Sequence, residues 1–331
     1  MTIRIALDAM GGDNAPASVV EGALMACKQN PKVRFILVGQ EEKLQRELDR
    51  LAYKGDQLSI HPATQVVGMG EKPAIALRKK KDSSMRVGCN LVKSGEVDAL
   101  VSAGNSGALM ATARYVLKML PGIDRPAMAS NVPSITGQTL MLDLGANVDC
   151  SAENLCQFAV MGEVYASSVE GLKNPRVGLL NIGEEDVKGN EVVKEAGERL
   201  KKEGSKWFIG NVEATDIFQG GVDVVVCDGF VGNVSLKTTE GVAKMLIHFL
   251  KESFSESWLS KLRYLVARPS LKKFRDRFDP RAYNGAMLLG LNGVVVKSHG
   301  GADGFAFAHA TQTAIDLVAG QVNEKIQRNL T

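Results

Sequence analysis

Short apolar runs alternate with stretches of helical spacing through the first two-thirds of the chain. Apolar runs bounded by turn formers read as strands, and apolar residues at three- and four-residue intervals read as amphipathic helices. The pattern predicts strands over residues 3–9, 33–39, 58–61, 97–103, 127–132, 139–144, 177–182 and 222–227. It predicts helices over 16–28, 41–51, 73–80, 85–93, 106–120, 151–169, 190–203 and 233–254. Pro16 suits a first helical turn, and Pro121-Gly122 closes the helix that starts at 106. Residues 285–298 form another apolar, glycine-punctuated stretch, and 305–327 a closing helix. This alternation predicts an α/β fold with a largely parallel, doubly wound sheet. No repeat or low-complexity linker divides 1–331, so one α/β unit is expected, with two lobes sharing a sheet.

Composition narrows the picture. The chain has 331 residues, 45% hydrophobic and 23% charged, enough for a large core. A net charge of +3 gives the whole molecule no polyanion-binding character, and no nucleic acid partner is expected. No run of about 18 apolar residues is present to span a bilayer. The chain enters a strand at Ile3, which leaves no room for a signal peptide. Five cysteines without a Cys-x-x-Cys pair fit a reduced cytoplasm.

One region departs from the rest. Residues 254–278 hold seven basic and two acidic side chains, a net +5, which leaves the remainder at −2. Five of the 18 aromatic residues also fall there. Trp258, Leu262 and Leu265 keep helical spacing, as do Leu271, Phe274 and Phe278, with Pro269 between the two pieces. A protruding basic, amphipathic helical hairpin is expected. Trp258, Lys261, Leu262, Arg263, Leu265, Arg268, Lys272 and Lys273 are its candidate contacts with an anionic membrane or an acidic partner.

Three glycine- and asparagine-rich stretches each follow a predicted strand and precede a helical pattern. They are Ser102–Ala108, Asn181-Ile182-Gly183 with Lys188-Gly189-Asn190, and Asp228–Asn233. Ligands of wound sheets sit beyond the carboxyl ends of the strands. There, unpaired first-turn amides and the positive end of a helix dipole suit an anion. Turn geometry alone accounts for any one stretch, whereas three together favour a phosphate-holding cleft. Lys188 and Lys237 lie just inside such stretches and read either as surface lysines or as anion ligands.

Other chemistry is thinly represented. Neither Gly-x-Gly-x-x-Gly nor a Walker loop occurs, so no nucleotide cofactor is expected. The four histidines lack zinc spacing, and no metal is expected. His299, in Lys297-Ser298-His299-Gly300-Gly301-Ala302-Asp303, is the one histidine in a plausible active loop. Asp8 and Asp143 lie near the sheet, while Asp13 and Asp149 read as caps or loop stabilisers. No Gly-x-Ser-x-Gly elbow or activated cysteine supplies a nucleophile.

Long motifs then carry a resemblance. Asp8-Ala-Met-Gly-Gly-Asp13-Asn-Ala-Pro16, Gly70-Glu-Lys-Pro73, Lys80-Lys-Asp-Ser-Ser-Met85, Ser102-Ala-Gly-Asn-Ser-Gly107, Leu142-Asp-Leu-Gly-Ala-Asn147, Asn181-Ile-Gly-Glu-Glu185, Gly229-Phe-Val-Gly-Asn233 and residues 284–300 resemble the bacterial phosphate acyltransferases of phospholipid synthesis. The match runs along essentially the whole chain. It implies a homodimer with a fold similar to phosphotransacetylase and the isocitrate dehydrogenase group. It also implies transfer of an acyl group from acyl-[acyl-carrier protein] to inorganic phosphate. The acyl phosphate would pass to a membrane glycerol-3-phosphate acyltransferase. Ser298-His299-Gly300 is similar to a Ser-Arg-Gly element of phosphotransacetylase, with His299 where that element has arginine.

This chemistry needs no protein nucleophile, because phosphate is an anionic oxygen nucleophile and a thioester is already activated. Gly104, Asn105, Ser106, Gly107, Asn147, Asn190, Lys237 and Ser298 are the candidate phosphate and substrate contacts. Lys188, Asn233, His299 and Asp303 are the candidate catalytic residues, with His299 or Asp303 to protonate sulfur or orient phosphate. Apolar helices such as 109–120 would line an acyl groove, and the helices after 233 would form the dimer. The expected location is cytoplasmic, with peripheral membrane contact through 254–278. Two rivals remain: a metal-dependent decarboxylating dehydrogenase on the related fold, and a non-enzymatic membrane scaffold that recruits carrier protein.

Overall fold

A computed structural model describes residues 2–253, 269 and 279–330. The basic stretch expected as a hairpin, with Trp258, Lys261, Leu262, Arg263, Leu265, Arg268, Lys272 and Lys273, lies outside the described residues. The strands are β1 Arg4–Asp8, β2 Arg34–Gly39, β3 Leu58–Pro62, β4 Ala99–Ser102, β5 Ala127–Ser134, β6 Gly137–Leu142, β7 Val177–Leu180, β8 Phe208–Val212, β9 Val224–Val226, β10 Ala286–Leu289 and β11 Val294–Lys297. Among the described residues these eleven form one sheet, in the order β3-β2-β1-β4-β11-β10-β5-β6-β9-β7-β8. Seven of the pairings are parallel, and the three antiparallel ones (β11·β10, β10·β5, β5·β6) sit together at the centre.

Helices cover both faces, as a parallel sheet requires. One face carries α1 Ala17–Gln29, α2 Glu41–Arg50, α6 Ala152–Ser168, α7 Glu191–Lys202, α10 Gly304–Ala319 and α11 Val322–Leu330. The other carries α3 Pro73–Lys79, α4 Ser84–Ser94 and α5 Ser106–Leu117, and beyond them the short α8 Asp216–Gln219 and the long α9 Gly229–Ser253. Strand alternation divides the core. Ile5 and Leu7 pack under the first layer, and Ala6 and Leu100 under the second.

Several boundaries differ from the sequence pattern. The helix expected to reach 120 stops at Leu117, because Lys118 has φ 67° and turns Met119 into a bridge with Leu291. The closing helix is two helices, α10 and α11, with Gln321 at φ 52° between them. β8 and α8 have no counterpart among the expected elements.

The antiparallel centre has a functional consequence. The hairpin between β10 and β11 turns through Gly290-Leu291-Asn292-Gly293, and Gly290 sits at φ +87°, where a side chain would be strained. Three successive reversals leave β4 and β11 running opposite in sense to β6, β9 and β7. Their carboxyl ends therefore leave the sheet at opposite ends.

Candidate active site

At the carboxyl ends of β1, β4 and β11 a buried polar chain begins with Asp8. Ser102 Oγ donates to Asp8 Oδ2 at 2.6 Å and accepts the Gly104 N–H at 3.1 Å. Asp8 and Ser102 are fully buried, and burial pushes the Asp8 pKa up, against the pull of its hydrogen bonds and of Lys297. Gly11 allows the close packing, since a Cβ there would lie 2.6 Å from Asp8 Oδ2 and 2.7 Å from the Gly104 nitrogen.

Lys297 ends β11 with its side chain 8% exposed. Its Nζ donates to the carbonyls of Ala103, at 3.4 Å, and Ser298. Burial lowers its pKa to about 8, partly offset by Asp8 and Asp13. A lysine here is a desolvated cation close to neutrality.

The next residues are clamped by Asn284. Its Nδ2 donates to Ser298 Oγ at 2.8 Å and to the Ala306 carbonyl, and its Oδ1 accepts the His299 N–H at 2.9 Å. His299 is exposed, and its Nδ1 accepts the Gly301 N–H. Asp303 caps α10 by accepting the Ala306 N–H at 2.9 Å, and also accepts from Arg281 at 2.9 Å. Partial burial would raise its pKa, but the Ala306 amide and Arg281 hold it below the ordinary value.

The same end holds the start of α5. Asn105 Oδ1 caps it by accepting the Ala108 N–H at 3.0 Å, while its Nδ2 donates to the carbonyls of Met69 and Glu71. The Asn105 side chain is thus engaged as a helix cap and loop anchor. The Gly104 amide is engaged by Ser102. Ser106 and Gly107 are exposed, and among the described residues their first-turn N–H groups have no acceptor. The helix expected to line an acyl groove instead buries Leu109, Ala113, Val116 and Leu117 in the core.

The opposite end of the sheet holds the remaining candidates. Asp143 Oδ1 accepts the amides of Met128, Gly145 and Ala146, and its Oδ2 accepts both the backbone and side-chain nitrogens of Asn147. Burial pushes the Asp143 pKa up, and these donors pull against it. Asn147 Nδ2 also donates to Pro126 O at 2.7 Å, which makes Asn147 a buried strut rather than a substrate contact. Asn233 is exposed and donates to Leu144 O at 3.2 Å. Asn190 caps α7 through the Val193 N–H. Lys237 is exposed and pairs with Glu240 at 3.0 Å one turn along α9. Lys188 is exposed and has no carboxylate partner among the described residues.

The candidates thus fall into two groups. Gly104–Gly107, Ser298, His299 and Asp303 share one end; Asn147, Lys188, Asn190, Asn233 and Lys237 lie at the other. Four strand spacings, about 19 Å, separate β4 from β6. Among the described residues no hydrogen bond joins the groups. The single pocket expected from three glycine-rich tips is corrected accordingly, and the strand reversal is the physical reason. Sequence reasoning missed Lys297, Asn284 and Arg281. The available signal was a lysine directly after the apolar run Val294–Val296.

Burial raises all five thiols, Cys150 to about 11 and Cys89 to about 12, so none is a ready thiolate near neutrality. Among the described residues no three His, Cys, Asp or Glu side chains are grouped to hold a metal ion, and no helix is long and apolar enough to cross a membrane.

Known proteins match this arrangement along its length. The family model described as "Fatty acid synthesis protein" matches residues 3–325. A phosphate acyltransferase of Magnetococcus marinus is 62% identical, covering 99% of this chain and 95% of that protein. Another from Methylococcus capsulatus is 57% identical, covering 99% and 96%. Among solved structures, a phosphotransacetylase from Streptococcus pyogenes aligns with TM-score 0.64 at 18% identity, covering 97% and 94% of the two chains. A branched-chain phosphotransacylase from Enterococcus faecalis aligns with TM-score 0.57 at 14% identity, covering 96% and 99%. At those identities the structural likeness concerns the fold alone.

Fold and relatives together define an α/β enzyme of the acyltransferase class. The chain belongs to the fatty acid synthesis protein family, alongside the phosphate acyltransferases.

Proposed function

We propose that this enzyme transfers a long-chain acyl group from acyl-[acyl-carrier protein] to inorganic phosphate, giving acyl phosphate for phospholipid synthesis and free carrier thiol. The reaction centre in this reading is the end shared by β1, β4 and β11. The observation that carries it is Lys297, a buried lysine with a pKa near 8, beside the open first turn of α5. Phosphate sits on the Ser106 and Gly107 amides, where the dipole and unpaired donors favour it.

A phosphate oxygen attacks the thioester carbonyl carbon, and the new C–O bond gives a tetrahedral oxyanion. Its collapse breaks the C–S bond, and the departing sulfur takes a proton from Lys297 or His299. Each donor aimed at the oxyanion contributes about 3–4 kcal/mol to lowering the barrier. Asn284 positions Ser298 and His299, and Arg281 holds Asp303 ionised.

The enzyme works as a homodimer in the cytoplasm. α9 supports this with exposed Val234, Val242, Met245, Leu246 and Phe249 along one chain of helical spacing. The basic, aromatic stretch 254–278 supplies charge and apolar side chains for peripheral contact with an anionic bilayer, close to the membrane glycerol-3-phosphate acyltransferase that would consume the product. The deciding assay mixes purified protein with long-chain acyl carrier protein, with and without phosphate, and traps acyl phosphate as hydroxamate. Phosphate-dependent hydroxamate is expected; none at any phosphate concentration would remove the reading.

A further inference from the structure

The helices α3, α4 and α5 pack side by side and carry five basic side chains and no acidic one. On their outer surface Tyr115 is 54% exposed. The Arg86 guanidinium lies 4.8 Å from its ring centroid and Lys118 Nζ lies 4.9 Å away. Arg114 stands beside them, and a depression of about 360 Å³ runs between Ala111, Arg114, Tyr115, Lys118 and Met119. Among the described residues none of Arg86, Arg114 and Lys118 has a carboxylate partner. An exposed tyrosine held between unpaired cations has the composition of a binding hot spot, and its charge calls for an acidic surface.

We propose that this patch, centred on Tyr115 and ringed by Arg86, Arg114 and Lys118, is the docking surface for the acidic acyl carrier protein. The proposal rests on the acyl-transfer reading above and adds where the donor binds. α5 itself connects the two places. Its first turn lies at the reaction centre, and Tyr115 follows Ser106 by nine residues, about 14 Å along the axis. The face between them carries only small side chains at Gly107, which is exposed, and Ala111, which is half-buried. An arm bearing the thioester can lie along that face and reach the helix N-terminus while the carrier body stays on the cations.

The test uses the full chain and carrier protein bearing its free thiol arm, so binding is read without turnover. Labelled carrier is titrated against wild type, Tyr115→Ala, the double variant Arg86→Glu/Lys118→Glu, and Arg46→Glu as an exposed basic control on α2. The double variant should weaken binding about tenfold or more, and Tyr115→Ala should weaken it measurably. In turnover, KM for acyl carrier should rise by a similar factor with kcat within about twofold, and Arg46→Glu should behave as wild type. Matching urea midpoints establish that the variants are folded. Wild-type hydroxamate formation together with unchanged KM in the patch variants would overturn the docking site and leave the acyl-transfer reading standing. Loss of affinity for a single-stranded RNA oligonucleotide, with carrier binding retained, would also overturn it and assign the patch to nucleic acid.

Discussion

The Ser102 hydroxyl donates to Asp8 across 2.6 Å inside the sheet, and in the same position it receives the Gly104 amide. One side chain thereby joins the ends of β1 and β4 and fixes the entry to α5. Ser102→Ala should leave the Gly104 N–H without its partner and remove one of the hydrogen bonds to Asp8, at a cost of about 1–3 kcal/mol. Urea unfolding would read this as a lower midpoint with an unchanged slope.

Lys297 makes two separate pH predictions. A lysine is cationic below its pKa, so turnover should fall as pH rises through about 8. Lys297→Met should lower kcat about 100-fold or more, and Lys297→Arg should move the alkaline limb upward. Stability has the opposite sign. The folded state releases this proton near 8 and the unfolded chain holds it to about 10.5, so stability gains from rising pH in that window. Lys297→Met should flatten that gain in urea titrations at pH 8 to 10.

Asp143 and Asn147 should affect folding rather than chemistry. Asn147→Ala removes donors to Pro126 and Asp143 within a buried turn and should cost about 1–3 kcal/mol. Its kcat per folded molecule should stay near wild type. A selective loss of phosphate affinity with unchanged stability would return Asn147 to the substrate site.

Gly11→Ala tests the close approach of the first loop to α5. The added Cβ would press on Asp8 and the Gly104 nitrogen. The backbone must shift, and a displacement of about 1 Å at a reacting centre costs on the order of 100-fold in rate. Steady-state kinetics on folded variant should show the loss mainly in kcat.

Much of the fold was legible because strand and helix periods differ. The expected strand at 3–9 and the observed Arg4–Asp8 share one centre, and 177–182 and Val177–Leu180 share their first residue. β8 escaped because Gly210 and Asn211 interrupt its short apolar run and resemble a turn. The helix end at Leu117 depends on Met119 finding Leu291, a contact far away in sequence. At the site, Asn105 and Asn190 cap helices and Asn147 braces a buried turn, because a side chain able to donate to an anion is also a good cap and turn former. In the sequence Lys297 reads only as the start of the His299 loop, and the pairing of β11 with β4 is what buries it. Strand sense, set by two hairpins, decided which glycine-rich stretches could cooperate.

The location of phosphate is tested most directly by the anomalous signal of tungstate, a phosphate mimic, in crystals of the full chain. A peak is expected at the first turn of α5, within reach of the Ser106 and Gly107 amides and close to Lys297. A peak held instead by Lys188, Asn190 and Asn233, with none at α5, would contradict this placement.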